Sequence, residues 1–124
     1  MIDFKNGKVF KLSPADNTSN VQAIMPLLVV GEQVIAQFSA IRDFVIFTNK
    51  RIITVNVQGI TGKKKDFTSL PYSKIQAFSI ETAGTFDLDA ELELSFSGLG
   101  SVKLDFSNSK EIHEIGRMIS EHVL

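Results

Sequence analysis

Two short apolar runs constrain this chain more than any other feature: Phe44-Val45-Ile46-Phe47-Thr48 and Ile52-Ile53-Thr54-Val55-Asn56-Val57. Only a few residues separate them, and Asn49-Lys50 reads as a two-residue turn. Both runs are of strand length and rich in β-branched and aromatic residues. Successive side chains of a strand point to opposite faces of its sheet, so a continuous apolar run leaves both faces needing cover. One face fills a core. The other must meet a helix or another subunit, a first indication of oligomerisation.

The rest of the chain is read outward from this hairpin. Val34 to Ile41 forms a strand before it. After it comes a glycine-punctuated basic loop, Gly59-Ile60-Thr61-Gly62-Lys63-Lys64-Lys65. Phe67 to Leu70 is then a short strand stopped by Pro71, which cannot donate to a ladder. Lys74 to Glu81 is the next strand, and its apolar phase shifts between Ile75/Ala77 and Phe78/Ile80, which predicts a bulge or a two-sided strand. The segment Thr82 to Asp89 is a polar loop. Leu92, Leu94 and Phe96 alternate with Glu91, Glu93 and Ser95, and Val102, Leu104 and Phe106 alternate with Lys103 and Asp105. Ser97-Gly98-Leu99-Gly100 joins these two as a hairpin.

The chain's two ends differ. Ile2 and Phe4, the Asn6-Gly7 turn and Val9 to Leu12 read as a small N-terminal hairpin, because Asn and Gly tolerate positive φ. Ser13-Pro14-Ala15-Asp16-Asn17 has helix-start chemistry. Val21, Ile24, Met25 and Leu28 fall on one helical face, and Pro26 kinks or shortens that helix. At the other end Ile112, Ile115, Ile119 and Val123 make one apolar helical stripe. Gly116 beside it permits close approach, and Asn108 and Glu111 have the spacing of a capping box.

Composition excludes several chemistries. The chain has no cysteine, so a disulfide framework, a thiolate metal site and a cysteine nucleophile are all ruled out. A formal net charge of -1 does not recruit nucleic acid. No apolar signal core opens the sequence and no run approaches the ~20 apolar residues of a membrane span, so a cytoplasmic protein is expected. His113 and His122 are the only histidines, too far apart for an i, i+4 metal pair. Neither a Ser-His-acid arrangement nor a phosphate-loop pattern occurs. No enzymatic activity, cofactor or metal is expected.

A single α+β domain over residues 1–124 follows. Residues 1–28 form the hairpin and short helix, residues 32–106 an antiparallel β-barrel of about seven strands, and residues 108–124 the capping helix that plugs the barrel's open end.

Three blocks then carry a family likeness. Ile41-Arg42-Asp43-Phe44-Val45-Ile46-Phe47-Thr48-Asn49-Lys50-Arg51-Ile52-Ile53 is the first, and Gln58 to Lys64 with Leu70 to Ile75 is the second. Ser79-Ile80-Glu81-Thr82-Ala83-Gly84-Thr85-Phe86-Asp87-Leu88-Asp89-Ala90-Glu91-Leu92 is the third and longest. Together they resemble the bacterial pleckstrin-homology (PH) domain family over roughly Leu27 to Leu124. The resemblance implies a PH-like barrel with a C-terminal helix. It also implies cyclic homo-oligomeric rings, pentameric for single-domain members, that serve protein–protein interaction without catalysis.

Three sets of candidate contacts follow. Glu81, Thr82, Thr85, Asp87 and Asp89, on a long polar loop and its flanks, form a recognition surface for a protein partner. Set against this, Glu91 and Glu93 read simply as the solvent face of a strand. Arg42, Asp43, Lys50 and Arg51 flank the apolar hairpin; such charges usually solubilise edges, but here they are assigned to pairing across a subunit boundary. Lys63, Lys64 and Lys65 are a candidate contact for an anionic lipid surface, the alternative reading, since eukaryotic PH domains use basic loops in this way. Asp66 follows at once, and Lys lacks the bidentate fork of Arg, so a solvated charge run is the plainer reading.

Overall fold

The computed structural model describes residues 10–82, 89–107 and 111–124. Eight strands and two helices follow in the order β1 (Phe10–Pro14), α1 (Thr18–Ile24), β2 (Val34–Ser39), β3 (Phe44–Thr48), β4 (Arg51–Gln58), β5 (Lys64–Pro71), β6 (Ile75–Thr82), β7 (Ala90–Phe96), β8 (Gly100–Phe106) and α2 (Ile112–Val123). They make one sheet in the order β5-β4-β3-β2-β1-β8-β7-β6. Among the described residues no ladder joins β5 to β6, so the sheet curls without closing.

This corrects the expected barrel of about seven strands. The strands from β2 to β8 are the seven read from the sequence. The eighth, β1, sits between β2 and β8, antiparallel to the first and parallel to the second. The expected N-terminal hairpin assigned Val9 to Leu12 to local pairing. In the structure Phe10–Leu12 pairs with β8 and Ser13–Pro14 with β2, strands distant in the chain, while the hairpin's first arm and its Asn6-Gly7 turn lie outside the described residues. Long-range register is the part of a β-fold that local pattern does not carry. Ser107 secures the junction: its N–H donates to the Leu12 carbonyl at 2.7 Å, and its hydroxyl lies 2.8 Å from that of Ser13.

The two-sided apolar strands are satisfied within the chain. Val45, Phe47 and Ile52 point into the main core with Leu12, Phe38, Leu92, Leu104 and Phe106. Phe44, Ile46, Ile53 and Val55 point the other way and form a second core under Ile24 of α1, which is fully buried. The cover is therefore a helix, and the second face of these strands supplies no argument for a subunit contact. Asn17 caps α1 by accepting from Ser19 N–H at 2.9 Å. The α-helix ends at Ile24, earlier than the periodicity to Leu28 suggests. Met25–Leu27 continues as a single 3₁₀ turn around Pro26, which has no N–H to give.

Other local readings map directly. Of the two readings of β6, the register shift favours the bulge, which falls between Ile75 and Ala77, just before the change of apolar phase. Strand β7 alternates strictly, with Ala90, Leu92, Leu94 and Phe96 inward and Glu91, Glu93 and Ser95 outward. Strand β5 starts at Lys64, so Lys64 and Lys65 are strand residues and the loop is shorter than expected. On α2, Ile112, Ile115 and Ile119 are buried and Val123 packs against the core. A Cβ on Gly116 would lie 2.4 Å from Ile80 Cδ1, so the glycine does bring the helix close to β6. Glu111 occupies the helix's cap position itself with no side-chain capping bond, so it does not act as the far member of a capping box; Asn108 lies outside the described residues.

Candidate functional site

The outer face of β6, β7, β8 and β1 carries a row of charge. Glu81 on β6 stands opposite Glu91 on β7, Glu91 opposite Asp105 on β8, and Asp105 opposite Lys11 on β1. Directly beneath this row the inward positions Ile80, Leu92 and Leu104 alternate with it, so the acidic side chains share the outer face. A second row beside it runs Ser79, Glu93, Lys103. Asp89 flanks the first row and pairs with Lys11 at 2.9 Å. Thr82 is exposed, but it is in register with inward-facing Ala90 and so belongs to the opposite face from Glu81. Thr85 and Asp87 lie outside the described residues. Sequence reasoning had Glu81 and Asp89; it missed Asp105 and Lys11, which only the β1–β8 and β7–β8 registers bring alongside.

Like charges directly opposite on neighbouring strands are destabilising. Glu91 sits in the middle of the row. Burial pushes its carboxyl up, and the hydrogen bond to Asp105 and the charges of Asp105 and Glu81 add to that, while Lys103 acts against it. A carboxyl raised in the folded state contributes stability that is present below its ordinary value near 4.5 and lost as the pH rises through the folded value. Glu91→Gln is therefore expected to raise stability at pH 7 by about 0.5 kcal/mol, the scale of a cross-strand charge pair. Urea unfolding at pH 7 and pH 4 checks this: the gain should disappear at the lower pH. An equal gain at both would mean that charge is not the cause.

The charges flanking the β3–β4 hairpin are largely engaged within the chain. Asp43 accepts from Val57 N–H at 2.8 Å and from Asn56 Nδ2 at 3.3 Å. Arg42 is exposed and donates to the Gly59 carbonyl. Arg51 makes a bidentate pair with Glu32, Nε to Oε2 at 2.9 Å and Nη2 to Oε1 at 3.0 Å. Its Nη2 also donates to the Leu27 carbonyl at 2.6 Å, and its Nη1 to Ser69 Oγ at 3.0 Å. The Glu32 side chain is completely buried and that of Arg51 is 19% exposed, so this is an interior ion pair. Thr48 Oγ1 donates to Glu32 Oε2 at 2.7 Å, and Val29 N–H donates to Oε1 at 3.1 Å.

Burial pushes the Glu32 carboxyl up, but the bonds from Arg51, Thr48 and Val29 outweigh it and hold the group below the usual carboxylate range. Tyr72 completes the cluster by donating to the Thr48 carbonyl at 2.6 Å. Burial, with the Glu32 charge, pushes its hydroxyl well above the ordinary value. Lys50 is exposed and is the one of the four, besides Arg51, that lines a cleft, described below. Glu32, Thr48 and Tyr72 were not found by sequence reasoning; a glutamate after Gly31 looks like any surface charge until the chain folds back over β3 and β4.

Lys63, Lys64 and Lys65 are all exposed at the far end of the β4–β5 hairpin. Lys64 and Lys65 pair with Gln58 and Val57 in the ladder, so their side chains leave on opposite faces. Lys64 and Lys65 therefore do not share one face of the sheet. His113 is exposed, as expected. His122 is exposed too, but it is not merely solvated: its ring centroid lies 5.4 Å from that of Tyr72, and Nδ1 lies 2.7 Å from the Met118 carbonyl.

Among the described residues no group of His, Asp and Glu converges in a geometry that would hold a metal ion. No described helix is long and apolar enough to cross a membrane. The strand register thus presents an acidic, cross-strand surface on the sheet. The sequence matches the model of the bacterial PH domain over residues 3–123. The chain belongs to the bacterial PH domain family. Two relatives from Bacillus subtilis, the uncharacterized proteins YjqA and YozO, are 40% and 31% identical. The matches cover 94% and 93% of this chain, and 95% and 96% of the relatives. Among solved structures, a DUF1696 family protein with a pleckstrin-homology domain from Shewanella loihica is 37% identical with a TM-score of 0.72, covering 93% of this chain and 99% of that one. A pleckstrin homology domain from Shewanella amazonensis is 35% identical with a TM-score of 0.64, over 89% and 90%. The bacterial PH domain thus reaches across essentially the whole chain, β1 included.

Proposed function

We propose that this bacterial PH domain is a non-enzymatic, cytoplasmic, ring-forming interaction module that recognises a protein partner through the outer face of β6, β7 and β8. The observation that carries the reading is the row Glu81, Glu91, Asp105: three carboxylates set side by side by the strand register at a cost to stability, which a basic partner segment would offset. The unclosed sheet supports the ring. Strands β5 and β6 are both edges, each presenting backbone groups that no described strand pairs. A head-to-tail contact between unlike edges of identical subunits closes into a ring when the rotation allows it. Of the four residues assigned to a subunit boundary, Arg42 and Lys50 remain exposed to serve it, whereas Asp43 and Arg51 are turned inward.

The lipid reading has less support, because the alternation of β5 separates Lys64 from Lys65 and Asp66 adjoins them. Light scattering at micromolar concentration is expected to give a mass several times 13.7 kDa. A pull-down from the native cell should then retain a protein that Glu81→Lys/Asp105→Lys loses. A clean monomer refutes the ring, and retention unchanged by the double substitution refutes the acidic face.

A further inference from the structure

A cleft of about 430 Å³ opens where the ends of β4 and β5, the turn at Tyr72–Lys74, the residues before β2 and the last turn of α2 meet. Its volume lies within the range of small-molecule sites, about 300–1,000 Å³. None of the acidic row lines it, and it lies at the opposite end of the β4–β5 hairpin from Lys63–Lys65: Arg51 pairs with Pro71 at one end, Gln58 with Lys64 at the other.

The floor is built and rigid. It consists of the buried Glu32–Arg51 pair and the Tyr72 ring, each held by the hydrogen bonds described above. Because Glu32 neutralises Arg51, the floor has no net charge. The walls, Val29 and Pro71, are apolar, and Val29 is 57% exposed. The rim is polar: Lys50, Ser73 and His122 are all exposed there. His122 Nδ1 faces a carbonyl, which can only accept, so that nitrogen carries the proton and donates to it. Lys50 is the one full charge of the lining that no carboxylate in the cleft balances.

From this we infer that the cleft binds a small amphipathic monoanion, a carboxylate carrying a short apolar chain. The carboxylate sits on Lys50 Nζ and the Ser73 hydroxyl, and the chain lies against Val29 and Pro71, with the buried Tyr72 ring beneath. Charge complementarity decides the sign of the head group: an ammonium would meet Lys50, and an uncharged hydroxyl would leave it unmatched. This site does not depend on the acidic face; it requires that Lys50 face the cleft and not the subunit boundary proposed above.

The protein contains its own reporter. Tyr72 is the only tyrosine and there is no tryptophan, so tyrosine emission reads this cleft alone. Octanoate added to the intact protein is expected to change that emission saturably and to shift the backbone amide resonances of Ser73 and His122. Octanol and octylammonium should bind at least tenfold more weakly, as should inorganic phosphate, which has the charge without the chain. Lys50→Met should weaken octanoate at least tenfold. Val29→Asp, at an exposed wall position, should abolish binding while leaving the unfolding midpoint unchanged. Octanol matching octanoate, or Lys50→Met binding as tightly as wild type, overturns the assignment. So does octanoate producing neither the emission change nor the resonance shifts.

Discussion

Arg51→Met is expected to lower the unfolding free energy at pH 7 by about 3–5 kcal/mol, the usual cost of removing one partner from a buried ion pair. The Glu32 carboxylate would then lie in the interior with Thr48 and the Val29 N–H but no counter-charge. Leu27 and Ser69 would each lose their donor as well. The pair is thus the clasp that holds the segment after α1 onto the β4–β5 end of the sheet. Two controls isolate the cause. Replacing Glu32 and Arg51 together by apolar residues of similar size should recover most of the loss, because a matched apolar pair costs no desolvation. Acid should also shrink the difference. Glu32 is held below the usual range in the folded state, so its contribution is present above its ordinary value near 4.5 and lost as the pH falls through the lowered folded value. Urea unfolding of wild type and both variants across pH 3–7 measures this, and an Arg51→Met penalty that is constant across that range would count against it.

Phe106→Ala is expected to cost about 3–5 kcal/mol, the range for deleting a buried phenylalanine side chain. The position is the seam of the fold. Phe106 ends β8, while Phe38 and Phe47 belong to β2 and β3, on the other side of β1. Phe106 meets Phe38 at a centroid distance of 4.8 Å and Phe47 at 6.2 Å, and Phe38 meets Phe47 edge-on at 5.7 Å. All three rings are essentially fully buried. Truncating Phe106 removes two aromatic contacts and opens a void between the halves of the sheet, which the hydrogen-bonded ladders prevent from collapsing. Phe67→Ala, on edge strand β5 and 38% exposed, is the control and should change stability by less than about 1 kcal/mol. Denaturant unfolding compares them. Similar small losses for both would show that the seam can repack.

The sequence by itself determined the local elements. Alternation in β7 and β8 named their inward residues one by one, the stripe on α2 was correct to the residue, and the phase shift in β6 marked its bulge. These are short-range consequences of side-chain geometry, periods of 2.0 and 3.6, and they survive in any tertiary setting. It also supplied the need for a second cover over β3 and β4, though not its identity. Helix and neighbouring subunit satisfy the same apolar pattern, and only the folded chain shows that Ile24 does so. The tertiary structure alone decided everything that depends on register or on chain return. It added β1 between β2 and β8, left the sheet unclosed, and set Glu81, Glu91, Asp105 and Lys11 in one row. It also turned Arg51 inward onto Glu32. The physical reason is common to all four. The pairings β1–β2, β1–β8 and Glu32–Arg51 join residues distant in sequence, through burial and charge compensation that no local pattern encodes. The two apolar runs that dominate the sequence remain the centre of the protein, but as the layer between two cores of one chain.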